Sequence, residues 1–268
     1  MSITVNDQLH RSVTVGDLSR GIVSLVPSQT ELLFDLGLGS QVTGLTKFCI
    51  HPEYARNSSV VIGGTKNLHF DKIRALKPSL ILANKEENNK EDIEALSAEF
   101  PVYVSDVHDL DSAVDMITAV GSVTGTEAAA ELLTEKIRAS FSTLQPSEPV
   151  RTLYLIWNEP MMAAGNDTFI SDMMLRCGLI NIAEAARYPV VDDNSFAPDL
   201  VLLSSEPYPF TEKHIAGISG RFPGAVIIPA DGTFFSWYGS RLANAPDYFK
   251  SLRITIDSKL FSQRKTVS

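Results

Sequence analysis

The sequence predicts an α/β protein with two similar lobes, each built on a central and mainly parallel sheet, joined by a long rigid helix. Three observations support this fold class. A strand, turn and helix pattern occurs twice, a buried strand between a proline and a glutamate occurs twice, and a stretch of helical periodicity separates the two sets. With 268 residues, the chain is long enough for two units of roughly 100 to 200 residues each.

The first repeat relates residues 22–38 to residues 153–179. In each segment an apolar strand leads through a turn into a helix, and a Gly-Leu pair follows the helix. Glycine readily adopts the left-handed backbone that ends many helices. We therefore expect the two segments to superpose. The corresponding residues are Thr30 and Ser171, Glu31 and Asp172, and Gly37 and Gly178.

The second repeat relates residues 78–82 to residues 198–202. Each begins with proline, continues as a nearly continuous apolar run and is followed after three residues by a glutamate, Glu86 or Glu206. Continuous apolar runs are typical of parallel strands that are buried on both faces. Each strand should therefore deliver its glutamate to the loop at its carboxyl end.

Residues 109–144 separate the two sets of repeats and show helical spacing of Ala, Leu, Ile and Glu. The pattern predicts a helix at about 110–123, a turn, and a long helix that begins at Glu127 with Thr126 as its N-cap. The predicted organisation is an N-terminal Rossmann-like lobe (1–108), connecting helices (109–148, with the backbone helix at about 126–144) and a C-terminal Rossmann-like lobe (149–268).

Composition excludes several classes of function. Lys and Arg number 23 against 32 Asp and Glu, and the net charge of −9 disfavours nucleic acid and anionic membrane surfaces as partners. No apolar run approaches the length of a membrane span, so membrane insertion is not expected. The chain is expected to be a monomer. Its first residues lack a secretory pattern, so we expect a periplasmic or cell-surface location if a signal was removed and a cytoplasmic one if Met1 is the native start.

Four segments carry a resemblance to a known family: residues 7–15, 22–32, 73–81 and 197–202. Together they resemble the helical-backbone, or class III, periplasmic substrate-binding proteins, which include the vitamin B12 and iron-siderophore receptors of ABC importers. The resemblance implies two lobes, a rigid connecting helix and a shallow cleft between the lobes for a bulky ligand. The chain departs from this family at 188–198, where there is no room for the helix that usually precedes the next strand.

Ligands of open α/β sheets bind beyond the carboxyl ends of the strands, so polar and aromatic residues that follow predicted strands are candidates for ligand binding. Aromatic rings flanked by cations suit a large, flat or chelated ligand. We expect these residues to face one another across one cleft. The candidates are Phe48, Lys66, Asn67 and Glu86 in the first lobe, and Trp157, Glu206, Tyr208, Trp237, Tyr238 and Arg241 in the second.

Cys49 and His51 are candidate soft metal ligands, although an isolated C-x-H is more often a buried thiol beside a surface imidazole. Separately, the family resemblance implies that an acidic residue on each lobe docks to arginines of a membrane permease. The residues at roughly equivalent places are Glu86, Glu91, Glu206 and Glu212.

These observations favour a non-enzymatic binding protein for a bulky metal chelate, such as a cobalamin-like corrinoid, haem or a ferric siderophore, which delivers its ligand to an ABC importer. No covalent cofactor is expected, and neither a nucleophile elbow nor a phosphate-binding loop is present. Binding should depend on aromatic area more than on coordination by Cys49 and His51. The alternative is a cytoplasmic metal-binding protein or enzyme that reuses the fold.

Overall fold

The computed structural model describes residues 2–192 and 196–267. The chain divides into two compact units. The first unit contains residues 1–107, 111–137 and 237–241, and the second contains residues 108–110, 138–236 and 242–268. The C-terminal part of the chain therefore contributes five residues to the first unit, whereas the sequence assigned all of 149–268 to one lobe.

The first unit contains a two-stranded hairpin and a five-stranded parallel sheet. Its strands are β1 (Ile3–Asn6), β2 (Ser12–Val15), β3 (Ile22–Ser24), β4 (Val42–Leu45), β5 (Val60–Val61), β6 (Leu80–Asn84) and β7 (Val102–Ser105). The parallel sheet has the order β5-β4-β3-β6-β7, and β1 pairs with β2. All residues of β3, β6 and β7 are buried, as expected for parallel strands covered on both faces.

The second unit has its own sheet, with the order β10-β8-β11-β12 and β9 paired antiparallel to β8. The strands are β8 (Val150–Asn158), β9 (Met161–Ala163), β10 (Leu179–Asn181), β11 (Leu200–Ser204) and β12 (Val226–Ala230). Leu153, Val201 and Phe210 belong to its buried core. Two separate sheets confirm the predicted fold class.

Nine helices are present in the described part of the chain. They are α1 (Pro27–Asp35), α2 (Phe70–Leu76), α3 (Lys90–Ser97), α4 (Leu110–Thr124), α5 (Glu127–Phe141), α6 (Phe169–Arg176), α7 (Ile215–Arg221), α8 (Thr233–Ser236) and α9 (Ala245–Val267). No helix in residues 2–192 and 196–267 combines the length and apolar character needed to cross a membrane.

The helices α1 and α6 both form where the first repeat predicts a helix. Pro27 occupies the first turn of α1, where its missing N–H costs nothing, whereas the Thr168 side chain accepts a hydrogen bond from the Ser171 N–H and caps α6. Each helix is followed within two residues by a glycine in left-handed conformation, Gly37 with φ +80° and Gly178 with φ +73°. The two local stop signals therefore act as the sequence predicted.

The connecting region forms two helices of 15 residues each, α4 and α5. Gly125, with φ +70°, lies between them, and α5 begins directly after Thr126. The predicted helix at about 126–144 ends at Phe141, and tight turns continue to Leu144. Residues 182–192 and 196–199, before β11, form no helix, as the departure from the family predicts; residues 193–195 of that stretch lie outside the described residues.

Candidate functional site

Parallel strands end at the same edge of a sheet, so the loops that follow them bring side chains from distant parts of the sequence together. In the first unit, the loop after β4 places the Phe48 ring over the backbone of Gly64. A Cβ atom added to Gly64 would lie 3.2 Å from the ring. The ring nevertheless remains 50% exposed, and the Lys47 Nζ lies 5.0 Å from its centroid. Phe48 is therefore supported on one side and accessible to a ligand.

Lys66 and Glu86 are in contact in the first unit, and the contact is made by the backbone carbonyl of Glu86 rather than by its side chain. The Lys66 ammonium donates hydrogen bonds to the carbonyls of Glu86, at 2.7 Å, and Asn88, at 3.3 Å. The Asn67 carbonyl accepts the Gly64 N–H at 2.9 Å and closes a tight turn. Lys66 therefore joins two loops at this edge, and the exposed Asn67 belongs to the turn that supports Phe48.

Cys49 lies inside the first unit and is fully buried. Its sulfur accepts a hydrogen bond from the Thr30 hydroxyl at 3.0 Å and lies 3.2 Å from the Thr46 hydroxyl. Burial raises the pKa of the Cys49 thiol, which disfavours the thiolate that a soft metal ion needs. Among the described residues, no group of three or more His, Cys, Asp or Glu side chains is arranged to hold a metal ion. The structure therefore does not bring Cys49 and His51 into a metal centre.

The 237–241 segment follows α8 and belongs to the first unit. Arg241 makes a bidentate ion pair with Glu31 of α1, with N···O distances of 3.0 and 2.6 Å. The Tyr238 hydroxyl donates to Glu87 at 2.8 Å. Burial, and secondly the Glu87 carboxylate, raise the pKa of Tyr238 well above its ordinary value. These contacts hold the segment against the first unit at two points.

Trp237 packs against Arg241 of the same segment and against His51. The Arg241 guanidinium lies 4.6 Å from the ring centroid, and the His51 ring meets the indole edge to face at 5.5 Å. Trp237 and Tyr238 are each 6% exposed. The sequence predicted that Trp237, Tyr238 and Arg241 would present a binding surface from the C-terminal lobe. Instead, their side chains are occupied by contacts inside the first unit.

In the second unit, Trp157 lies near the end of strand β8 and Tyr208 lies in the loop after β11. The two rings meet edge to face with centroids 5.6 Å apart, and the Trp157 indole N–H donates to the Glu159 carbonyl at 3.0 Å. Trp157 is 40% exposed, and Tyr208 is half-buried. We call this pair the Trp157–Tyr208 surface. Both residues were predicted from the sequence, and the structure places them together.

The Trp157–Tyr208 surface rests on residues that sequence reasoning missed. Tyr208 packs on Phe210, with centroids 4.7 Å apart, and its hydroxyl lies 3.3 Å from His214 Nε2. The Thr211 N–H donates to His214 Nδ1 at 2.9 Å, which fixes the imidazole within a short turn. The spacing of aromatic residues after β11 was the available signal.

The four predicted docking glutamates differ in exposure. Glu86 and Glu206 are half-buried, and the Glu206 carboxylate accepts a hydrogen bond from the Ser236 hydroxyl. Glu91, in the first turn of α3, and Glu212, in a short 3-10 turn, are exposed. The Glu206 carboxylate is thus tied to α8, whereas Glu91 and Glu212 present their carboxylates to solvent.

Comparison with known proteins gives the family. The model of the periplasmic binding protein family matches residues 22–206, which is more than half of the chain. The chain belongs to the periplasmic binding protein family. The match runs from β3 of the first unit to the loop after β11 of the second, and it confirms the resemblance carried by residues 22–32, 73–81 and 197–202.

Individual relatives of this periplasmic binding protein agree with that assignment. A vitamin B12-binding protein of Yersinia pestis (strain Pestoides F) is 28% identical over 227 residues, covering 81% of this chain and 79% of that protein. The solved periplasmic vitamin B12 binding protein BtuF of Vibrio cholerae matches with a TM-score of 0.72 at 21% identity, over 90% of this chain and 99% of that one. The periplasmic haem-binding protein RhuT of Roseiflexus sp. RS-1 matches with a TM-score of 0.74 at 21% identity, over 91% and 100%. The two structures share the fold.

Proposed function

We propose that this protein is a non-enzymatic solute-binding protein for a bulky metal chelate, of the corrinoid, haem or ferric siderophore kind. The observation that carries the proposal is the exposed aromatic surface at the carboxyl edge of each sheet. Phe48 is 50% exposed in the first unit, and Trp157, beside Tyr208, is 40% exposed in the second. Relatives whose names specify vitamin B12 or haem as the ligand support this class of ligand.

Aromatic rings suit such a ligand on energetic grounds. Covering one ring with a flat chelate removes about 100 Å² of apolar surface from water, which at about 25 cal/mol per Å² is worth a few kcal/mol before ordering costs. Phe48 and Trp157 are already fixed by neighbouring groups, so little side-chain entropy would be lost when they bind. A bare metal ion would gain little from these rings.

We further propose that the protein, once it has bound its ligand, delivers it to an ABC permease. In this proposal Glu91 and Glu212 are the carboxylates that dock to the permease. Both are exposed, whereas Glu86 and Glu206 are half-buried, and the Glu206 carboxylate is bonded to Ser236. Exposed carboxylates can pair with arginines of a partner and contribute to the rate and specificity of association.

Isothermal titration calorimetry of the purified protein with cyanocobalamin, haemin and a ferric siderophore tests the binding role. We expect saturable binding of at least one chelate with a 1:1 stoichiometry and no change in the chemical identity of the ligand recovered afterwards. Failure of all three to bind, or recovery of a modified ligand, would overturn the proposal. The same titrations with Glu91→Lys and Glu212→Lys should give unchanged affinity, while uptake by cells that carry the permease should fall.

A further inference from the structure

The chain is acidic overall, but residues 42–72 of the first unit are not. The net charge of the whole chain is −9, whereas this stretch, which includes β4, β5 and the loops after them, has four cationic side chains and two carboxylates. The cations are Lys47, Arg56, Lys66 and Lys72, and the carboxylates are Glu53 and Asp71. A basic stretch in an acidic protein raises the local concentration of anions.

Three of these four cations donate hydrogen bonds to backbone carbonyls. Arg56 donates to the Lys47 carbonyl, Lys66 to those of Glu86 and Asn88, and Lys72 to that of Val61. Lys47 differs, because its ammonium lies 5.0 Å from the centroid of the Phe48 ring. Its side chain is exposed, and the ring next to it is 50% exposed. Lys47 is therefore the cation of this group that is placed beside an open apolar surface.

The side chains of Lys47 and Phe48 both pack against Gly64. A Cβ atom there would lie 3.2 Å from the Phe48 ring and 3.4 Å from Lys47 Cε, so both side chains lie close to the bare glycine backbone. We call these two side chains the Lys47–Phe48 pair. It presents a ring and an ammonium group side by side, which matches a flat molecule that has an anionic group at its rim.

We propose that Lys47 is a specificity-determining residue and that the Lys47–Phe48 pair selects a flat chelate with peripheral carboxylates over one with neutral side chains. The chelate plane packs on Phe48 and a rim carboxylate pairs with the Lys47 ammonium. This inference rests on the proposed chelate-binding function. The ion pair is at the surface, so its contribution is modest and falls as salt is added.

Calorimetry with two probes separates ring packing from charge. Haemin has two carboxylates, and dicyanocobinamide is a corrinoid whose side chains are neutral amides. For Lys47→Met, which removes the charge but keeps a long unbranched side chain, we expect a loss of about two- to fivefold in haemin affinity at low ionic strength and no loss for dicyanocobinamide. Phe48→Ala should weaken both. Lys136→Met removes the same charge from an exposed site on α5 and is the matched control.

Each outcome decides one question. If the wild type binds haemin and Lys47→Met binds it with the same affinity, the role of Lys47 in specificity is overturned while chelate binding stands. An equal loss of affinity for haemin and for dicyanocobinamide in Lys47→Met has the same meaning. The same holds if the wild type binds only dicyanocobinamide, or if Lys136→Met matches Lys47→Met. If the wild type binds no chelate, the proposed function fails and the inference fails with it.

Discussion

Two aromatic segments that look alike in sequence have different roles in the structure. The 237–241 segment and the Trp157–Tyr208 surface each contain a tryptophan and a tyrosine near or beyond the end of a strand. Yet Trp237 is 6% exposed, packed between Arg241 and His51, whereas Trp157 is 40% exposed. The first tryptophan stabilises the unit that contains it, and the second is available to a ligand.

The difference comes from the partners that surround each ring. Tyr238 donates to Glu87, and Arg241 pairs twice with Glu31, so the 237–241 segment is committed to the first unit. Trp157 donates to a backbone carbonyl and meets the Tyr208 ring, which leaves part of its face open. Aromatic residues after a strand therefore indicate a binding surface only where no other segment covers them.

The largest expected effect is on stability. Trp237→Ala removes a buried indole and the ring beneath the Arg241 guanidinium, and we expect a loss of about 3 to 5 kcal/mol in the free energy of unfolding. Trp157→Ala, the matched control, should cost less than about 1 kcal/mol because that ring is partly exposed. Urea unfolding followed by circular dichroism measures both. Equal losses would mean that the two tryptophans do not differ as proposed.

The second prediction concerns alkaline pH and the buried tyrosines. Burial raises the pKa of Tyr248 in the second unit from its ordinary value of 10.0 to about 12, and raises that of Tyr238 well above the ordinary value. A tyrosine whose pKa is raised in the folded state contributes stability that is complete below its unfolded pKa of about 10 and is lost as the pH rises through the folded pKa. A pKa that is higher by one in the folded state than in the unfolded state corresponds to about 1.4 kcal/mol of stability.

The free energy of unfolding should therefore fall by up to about 3 kcal/mol for Tyr248 alone as the pH rises from about 10 past 12. The buried thiols of Cys49 and Cys177, whose pKa values are raised from 9.0, add a decline that begins above about pH 9. Urea unfolding across this range measures the decline. Tyr238→Phe lowers stability at neutral pH, because the hydrogen bond to Glu87 is lost, but should make the alkaline decline shallower. An identical decline in this variant would contradict the role given to the buried phenol.

Much of the fold could be predicted from the sequence because its signals are local. Gly37 and Gly178 each follow a helix, and each adopts the left-handed backbone conformation. Residues 78–82 and 198–202 lead into buried strands of separate sheets. A short run of residues determines each of these features. The turn between α4 and α5, where Gly125 lies, was also predicted from local sequence.

The candidate site could be predicted only in part, because burial depends on distant partners. Phe48, Trp157 and Tyr208 were named from the sequence and have accessible rings. The unit to which 237–241 belongs is decided by contacts between residues 151 apart, for Tyr238 and Glu87, and 210 apart, for Arg241 and Glu31. No periodicity or spacing near residue 237 reveals those partners.

The third prediction is the effect of the exposed tryptophan on binding. Trp157→Ala should weaken chelate binding by about tenfold, near 1.4 kcal/mol, because it removes a preformed apolar face next to Tyr208. Calorimetry with whichever chelate binds the wild type measures it. Trp237→Ala, assayed where it is fully folded, should retain more of the affinity. A larger loss of chelate affinity for Trp237→Ala than for Trp157→Ala would mean that the 237–241 segment contributes to the ligand site.

The smallest effect is expected at Cys49 and His51. If rings rather than metal coordination bind the ligand, the double variant Cys49→Ser, His51→Ala should change the affinity for the chelate by no more than about twofold. Cys49 is fully buried with two threonine hydroxyls near its sulfur, and burial raises its pKa, so it is not poised as a thiolate ligand.

Cys177→Ser is the matched control for this double variant, because Cys177 is also a buried free thiol, with a pKa raised by burial to about 12. Both thiols should resist an aromatic disulfide reagent in the folded protein and react after unfolding in urea, since the thiolate is the reactive form. Calorimetry with the chelate and, separately, with Zn²⁺ measures the two kinds of binding. A tenfold loss of chelate affinity in the double variant alone, or Zn²⁺ binding that it abolishes, would favour direct metal coordination over aromatic packing.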